Sequence, residues 1–589
     1  MINNDKLKTR DVIWKLSDLY HDTSDPTIAT DIAACEQEAA RLNQEFSGRL
    51  EAVGSSQLHE LVNGLETVAT RLGKLATFAY LNFATQTANP EAGAFLQKIR
   101  EAASRIGRDT IFFELQWNGL AENIATEHLQ APELAHYQHY LTSMRRYAAH
   151  LLSQTEETLL LEIAPVGRGS WTNLFDKVMG HLKFGVGQRS EEEVLADLYS
   201  PDREVRRIAA EEMTNGLRSQ SHILSHIFNT ILADKMIEDR LRRYESWIGS
   251  MNLYNELTDD TVEVLIKAAT ARYDIAARYY RLKRELLGLD ELFDYDRYAP
   301  LPHLPDTVTD WDQCRATVLK AFGNFSPQLS EIAEKFFTKN WIHAPVEDNK
   351  RGGAFAHPCI PEAHPYIMVN YTGNSRDVST VAHELGHGVH QYLAADQGYF
   401  NSNTPLVLAE TASVFAELLV FNDQLRDLAD PAAQKAFVCN KLESIFATVF
   451  RQLAMNRFED RIHNARKTAG ELSTEEFSRH WLETQQEMFG DSVTLTDNYG
   501  IWWSYIPHFL NSPGYVYSYA FGELLVLALY KLYQQDGTDF VPKYITLLAA
   551  GGSQSPYELL RPFGVDLNDP EFWHGGLEII DAMLRSVEA

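Results

Sequence analysis

The sequence predicts a mainly α-helical fold with one small β-sheet in the second half of the chain. Three observations carry this. Apolar residues return at three- and four-residue spacing through residues 31–50, 56–82 and 91–117, the period of a helix with one buried face. Strand signals are few, the best being Pro365-Tyr366-Ile367-Met368-Val369-Asn370-Tyr371, closed by Thr372-Gly373-Asn374. No period repeats and no segment is of low complexity.

The elements follow in chain order. Residues 31–50 are rich in Ala, Glu, Gln and Leu, all good helix formers, with few breakers. Ser190 with Glu193 reads as a capping box, and Glu191-Glu192-Glu193 as a solvated first helical turn. Ser200-Pro201 offers an N-cap and a first-turn proline for a long polar-patterned helix running to about Tyr244, with Gly216 inside it. Pro and Gly gather between residues 299 and 374, which predicts irregular structure around the strand.

A chain of 589 residues is too long for one simple core, so two or three domains are expected. Hydrophobic residues at 45% and charged residues at 23% exclude general disorder, collagen and a coiled-coil rod. Lys+Arg total 53 and Asp+Glu 81, a formal charge of 53 − 81 = −28. That balance argues against nucleic acid and against anionic membranes as partners. Cys35, Cys314, Cys359 and Cys439 are far apart and form no CxxC, so a disulfide framework is not expected. The opening residues have no apolar core of a secretory signal. The apolar run Phe521 to Tyr533 contains Glu523 and Lys531 and is too short to span a bilayer. A cytoplasmic location is the expectation.

Several weak motifs carry no chemistry. Gly185-Val186-Gly187 lacks the last glycine of a dinucleotide fingerprint and reads as a turn. There is no Walker loop and no GxSxG elbow. His357 and Cys359 are close in sequence, but nothing orients them as a pair, and Cys359 reads as a buried structural cysteine.

The informative segment is Asp377-Val378-Ser379-Thr380-Val381-Ala382-His383-Glu384-Leu385-Gly386-His387, which contains HExxH. On a helix, His383 and His387 share a face one turn apart and can bind one zinc ion. Glu384 beside them can take a proton from an attacking water. Val378, Val381, Leu385 and Val389 form a separate apolar stripe for burial. Gly386 and Gly388 each cost about 1 kcal/mol of helix propensity, and close packing against that face would explain them. Five letters alone also recur by chance, on helices that bind nothing. A third ligand is therefore required, and Glu410 is the candidate. It is an acid inside the apolar run after Thr404-Pro405, costly to bury without a partner. Glu417, two turns on, reads equally as an acceptor for a ligand histidine N–H and as a surface carboxylate. His390, one turn beyond His387, is a candidate for a substrate or supporting role.

These motifs together resemble one family. HELGH followed by ETASVFAE is similar to the oligoendopeptidase F family of zinc metallopeptidases, related to thimet oligopeptidase. Trp14 to Tyr20, Arg351 to Phe355, Asn370 to Gly373 and His508 to Gly522 look like further family segments, so the likeness covers nearly the whole length. The resemblance implies one Zn2+ per chain on His383, His387 and Glu410, with Glu384 as general base. It implies two helical halves enclosing a deep substrate channel, with the small sheet near the zinc-binding helix. Short peptides cut internally are the implied substrates. The chain then divides into an N-terminal helical region, 1–190, and a catalytic domain, 191–589.

His508 precedes Asn511-Ser512-Pro513-Gly514, which reads as a loop. His508, Tyr515 and Tyr519 are candidates to stabilise the oxyanion of peptide hydrolysis, the two tyrosines sharing a face if the segment is helical. Which tyrosine reaches the substrate stays open, and a core role for them is the competing reading. Gly353, Ala354, Tyr517 and His390 are the candidate substrate-binding residues. The competing functions are a non-cleaving peptide-binding protein of the same fold, which would have no use for Glu384, an aminopeptidase, for which no amine-binding motif is present, and a helical scaffold with a chance HExxH.

Overall fold

The computed structural model describes residues 3–164, 166–302 and 308–588. Helices dominate them, and the named strands form one small sheet. The helix Pro26–Phe46 starts on the Asp25 cap with proline in its first turn and buries Ile28, Ile32, Cys35, Ala39, Leu42 and Phe46. The next two predicted helices are Ser55–Ala84 and Pro90–Thr110. The second stops short of residue 117, where a separate helix, Phe112–Gly119, takes over.

Two expected helix features differ. Ser190 and Glu193 do form a capping box, on the helix Glu191–Asp197. The following helix, however, is capped by Asp202, whose carboxylate accepts from the Glu204 amide, and Pro201 lies outside it. The long run to Tyr244 is two helices, Arg203–Ser219 and Ser221–Arg242, broken at Gln220. The polar pattern continues through the break, so periodicity did not reveal it.

The sheet has three strands, β1 (Ile342–His343), β2 (Phe355–His357) and β3 (Tyr366–Met368), in the order β1-β3-β2. β1 runs parallel to β3 with Ile342 opposite Ile367, and β2 runs antiparallel with Phe355 opposite Met368. β3 is central and buried throughout, which explains why its sequence is continuously apolar rather than alternating. β2 is an edge strand.

The chain resolves into two compact units, each discontinuous in sequence. The first comprises Met1–Ala148, Asp306–Asp427 and Leu532–Val565; the second comprises Ala149–Pro305, Leu428–Lys531 and Asp566–Ala589. The first contains the sheet and two cores, one around Trp14, Tyr20, Phe78, Tyr366 and Met368, the other around Leu42, Phe113, Trp117 and Tyr137. The second has a core of Phe184, Met213, Phe228, Phe458, Trp481, Trp503 and Phe509. The four cysteines are unpaired and buried. Among the described residues no helix is long and apolar enough to cross a membrane.

Candidate active site

The HExxH segment lies on the helix Ser375–Ala394. Asn374 caps it by accepting from the Asp377 amide at 2.9 Å, and Asp377 accepts in turn from the backbone and hydroxyl of Thr372, both at 2.6 Å. The end of β3 and the helix start are thereby locked together. Val378, Val381, Leu385 and Val389 are all buried, as the apolar stripe predicts. The helix Leu406–Asp427 packs across the glycine face. A Cβ on Gly386 would stand 2.5 Å from the Ala412 carbonyl oxygen and 2.6 Å from the Ser413 Cα, so only glycine lets these two backbones approach.

That approach assembles the donor set. His383 Nε2 and His387 Nε2 face each other at 3.2 Å, and Glu410 Oε2 stands 3.5 Å from each. One ligand atom from each residue falls within 4.8 Å of the others. The remaining ring nitrogens are occupied elsewhere. His383 Nδ1 lies 2.6 Å from Glu417 Oε1, and the His387 ring hydrogen-bonds the Ala409 backbone. Both Nε2 lone pairs therefore point at one spot. Two imidazole lone pairs at that distance, ringed by carboxylates, repel unless a cation or proton lies among them. The donors fit a divalent metal taken by two nitrogens and one oxygen. Ser413 donates its hydroxyl to Glu410 Oε2 at 2.6 Å and steadies that carboxylate.

The charges around this cluster are strongly coupled. Burial opposes a charge on His383, but the hydrogen bond to Glu417 and the nearby carboxylates outweigh it and push its pKa up to about 9. Burial takes His387 the other way, down to about 4. Glu384 is 7% exposed, and burial pushes its carboxyl up to about 7, partly offset by a hydrogen bond from the Ala356 backbone in β2.

His390 is buried, and its Nε2 meets the Thr404 hydroxyl at 3.2 Å. With His387 it lines a cavity of about 540 Å³ that also reaches His357, Tyr399 and Thr404. Gly353 is exposed at φ +79°, and its carbonyl accepts from Asn370 Nδ2 at 2.8 Å. Ala354 leads directly into β2. Cys359 is buried, and burial raises its thiol to about 12, which leaves it inert.

In the second unit, His508 begins a single helical turn, His508–Asn511, rather than preceding a wholly irregular loop. Its Nε2 lies 3.3 Å from the Tyr519 hydroxyl, and the Tyr515 ring packs edge-on to Tyr519 at 5.0 Å. Burial and then the charge of Arg451 hold the imidazole below its ordinary pKa. Tyr517 does not join this group and is corrected as a substrate-binding candidate. It has no exposed surface, and its hydroxyl accepts from Asn255 Nδ2 at 2.8 Å. Residues two apart on a helix face different ways, and here one side is core. The sequence does not single out Ser413 beside Glu410, Arg451 whose charge acts on His508, or the buried Glu459. The signal for Glu459 was a carboxylate inside the buried stripe of the helix Phe450–Ala469, beside Phe458 and Ile462.

The chain is similar to known proteins over nearly its whole length. Residues 324–579 match the family described as Peptidase family M3, and residues 117–184 match the one described as Oligopeptidase F. The chain is 26% identical over 586 residues to the oligopeptidase PepF of Bacillus subtilis, covering 98% of this chain and 86% of that one. A solved structure from Chlamydophila abortus shares the fold with a TM-score of 0.86 at 24% identity, covering 98% of both chains. The oligoendopeptidase-F structure from Enterococcus faecium does so at 0.72 and 20%, over 95% of this chain and 98% of that one. The HExxH helix and the Glu410 helix both fall inside the matched M3 region, and the chain accordingly belongs to the oligoendopeptidase F proteins of peptidase family M3, a family of metalloendopeptidases.

Proposed function

We propose that the protein is a zinc-dependent endopeptidase that hydrolyses internal bonds of short peptides. The observation that carries this reading is the convergence of His383 Nε2, His387 Nε2 and Glu410 Oε2 beside Glu384. Zinc, when bound by these three, supplies Lewis acidity: it makes water nucleophilic near neutral pH and polarises the scissile carbonyl. Glu384 takes the proton from the attacking water and returns it to the leaving amine. Glu417 holds His383 in the tautomer that leaves Nε2 free to ligate.

His508, Tyr515 and Tyr519 serve the oxyanion. His508 Nε2 and the Tyr519 hydroxyl lie 3.3 Å apart, close enough for both to donate to one developing negative charge. Gly353, Ala354 and the edge strand β2 offer backbone groups to an extended peptide, and His390 lines the neighbouring cavity. All these residues lie within 191–589, which we take as the catalytic region. Unpaired, buried cysteines support a reducing, cytoplasmic setting. The PepF relative is named an oligopeptidase, which supports short peptides as substrates here.

The test uses a peptide ladder and a stable folded protein, read by mass spectrometry, with wild type and Glu384→Gln. Wild type is expected to cut peptides of about 5–20 residues at internal bonds and to leave the folded protein intact. Glu384→Gln is expected to keep its metal and lose most turnover, because an amide cannot accept the proton. Near wild-type cleavage by that variant, or release of single N-terminal residues only, would sink the reading.

A further inference from the structure

The turn that carries His508 and leads to Tyr515 and Tyr519 is tied at both ends by side chains from elsewhere in the same unit. Arg168, on the helix Arg168–His181, donates through Nη2 to the carbonyls of Leu510 at 3.0 Å and Asn511 at 3.3 Å. Such carbonyls are the ones a single helical turn leaves unpaired. At the other end, the Gly514 N–H donates to Glu459 Oε1 at 2.8 Å. Gly514 is buried at φ +82°, and a Cβ there would meet Ile248, Met251 and Trp247 at 3.3, 3.4 and 3.5 Å. Its amide is thus aimed into the helix Phe450–Ala469 by a backbone conformation that favours glycine.

Glu459 is an unfavourable residue to keep for packing. It has no exposed surface, and its Oε2 has no hydrogen-bond partner among the described residues. The cation acting on it is Lys235, whose ammonium is already held by Asp239 and by Ser250 at 3.2 Å. A leucine or methionine would fill the same space without burying an unsatisfied carboxyl oxygen. What a hydrocarbon could not do is accept the hydrogen bond of Gly514.

We propose that Glu459 and Arg168 are positioning residues for the reaction, which act through the Leu510–Gly514 turn to set the placement of His508, Tyr515 and Tyr519. This rests on the reading of those three as oxyanion donors. Preorganised donors count mainly when charge has developed, so loosening them lowers kcat and spares KM.

The test compares Glu459→Ala, Glu459→Gln, Arg168→Ala and His508→Ala by steady-state kinetics on one quenched peptide, with folded fraction measured in parallel. Glu459→Ala should lower kcat per folded molecule roughly tenfold or more, with KM within about twofold. Glu459→Gln keeps an acceptor oxygen in place and should recover kcat to within roughly threefold of wild type. Arg168 is only partly buried, so Arg168→Ala should fold and lower kcat by roughly threefold or more at constant KM. If Glu459→Ala does not fold, Arg168→Ala decides by the same criterion. Wild-type kcat in Arg168→Ala, or Glu459→Gln no better than Glu459→Ala, overturns the proposal. Loss of kcat in His508→Ala alone would leave the donor assignment standing and remove only the positioning role. Wild-type kcat in His508→Ala would instead remove the donor assignment itself.

Discussion

His383 Nδ1 and Glu417 Oε1 lie 2.6 Å apart, and this one hydrogen bond decides which nitrogen of His383 faces His387 and Glu410. The pairing joins the helix Ser375–Ala394 to the helix Leu406–Asp427 two turns beyond Glu410, the proposed third ligand. Orientation of this kind typically contributes about 10–100-fold to metal affinity. Glu417→Ala should therefore weaken zinc binding by that factor, measured by titration against a competing chelator. An unchanged zinc dissociation constant would mean that packing alone orients the ring.

Metal removal should separate activity from folding. The cores of both units are large and lie among residues that do not ligate, so chelated protein should stay folded and lose its peptidase activity. Circular dichroism and peptide cleavage on the same sample check this. Glu410→Ala should copurify with far less than one zinc per chain, and a full complement would move the third ligand elsewhere.

Gly386 is a packing requirement. An alanine there would bring Cβ to 2.5 Å from the Ala412 carbonyl and push the two site helices apart. Overpacking of this kind costs about 1–3 kcal/mol and would also spread the donor atoms. Gly386→Ala should show a lower denaturation midpoint together with weaker zinc binding. Wild-type values of both would contradict the close approach.

The tyrosines should sort by environment. Tyr519→Phe removes the hydroxyl that meets His508 and should lower kcat with little change in KM. Tyr517→Phe removes a buried acceptor for Asn255, whose amide also donates to Ser518 at 3.0 Å. It should cost about 1 kcal/mol of stability and leave kcat per folded molecule unchanged. The reverse pattern would exchange their roles.

His508→Ala should lower kcat more than it raises KM, because an oxyanion donor acts chiefly in the transition state. A change confined to KM would make His508 a contact to bound substrate only.

Much of this candidate site is legible in the sequence alone. HExxH has a helical spacing that puts two imidazoles on one face whatever surrounds them, and an acid in an apolar run flags itself as needing a partner. Local rules of that kind determined the ligand candidates, the buried apolar stripe, the helix-rich class and one strand of the small sheet. What local pattern cannot encode is distance between segments. The equal 3.5 Å spans from Glu410 to both histidines, and the choice for Glu417 between ligand support and idle surface, depend on how closely two helices cross at Gly386. The break at Gln220, the burial of Tyr517 and the anchoring of Gly514 by Glu459 likewise arise from packing partners far away in sequence. The sequence determined which groups could do chemistry because side-chain type and helical period are local. The tertiary structure decided which of them meet, because closeness of backbones is a property of the packed chain.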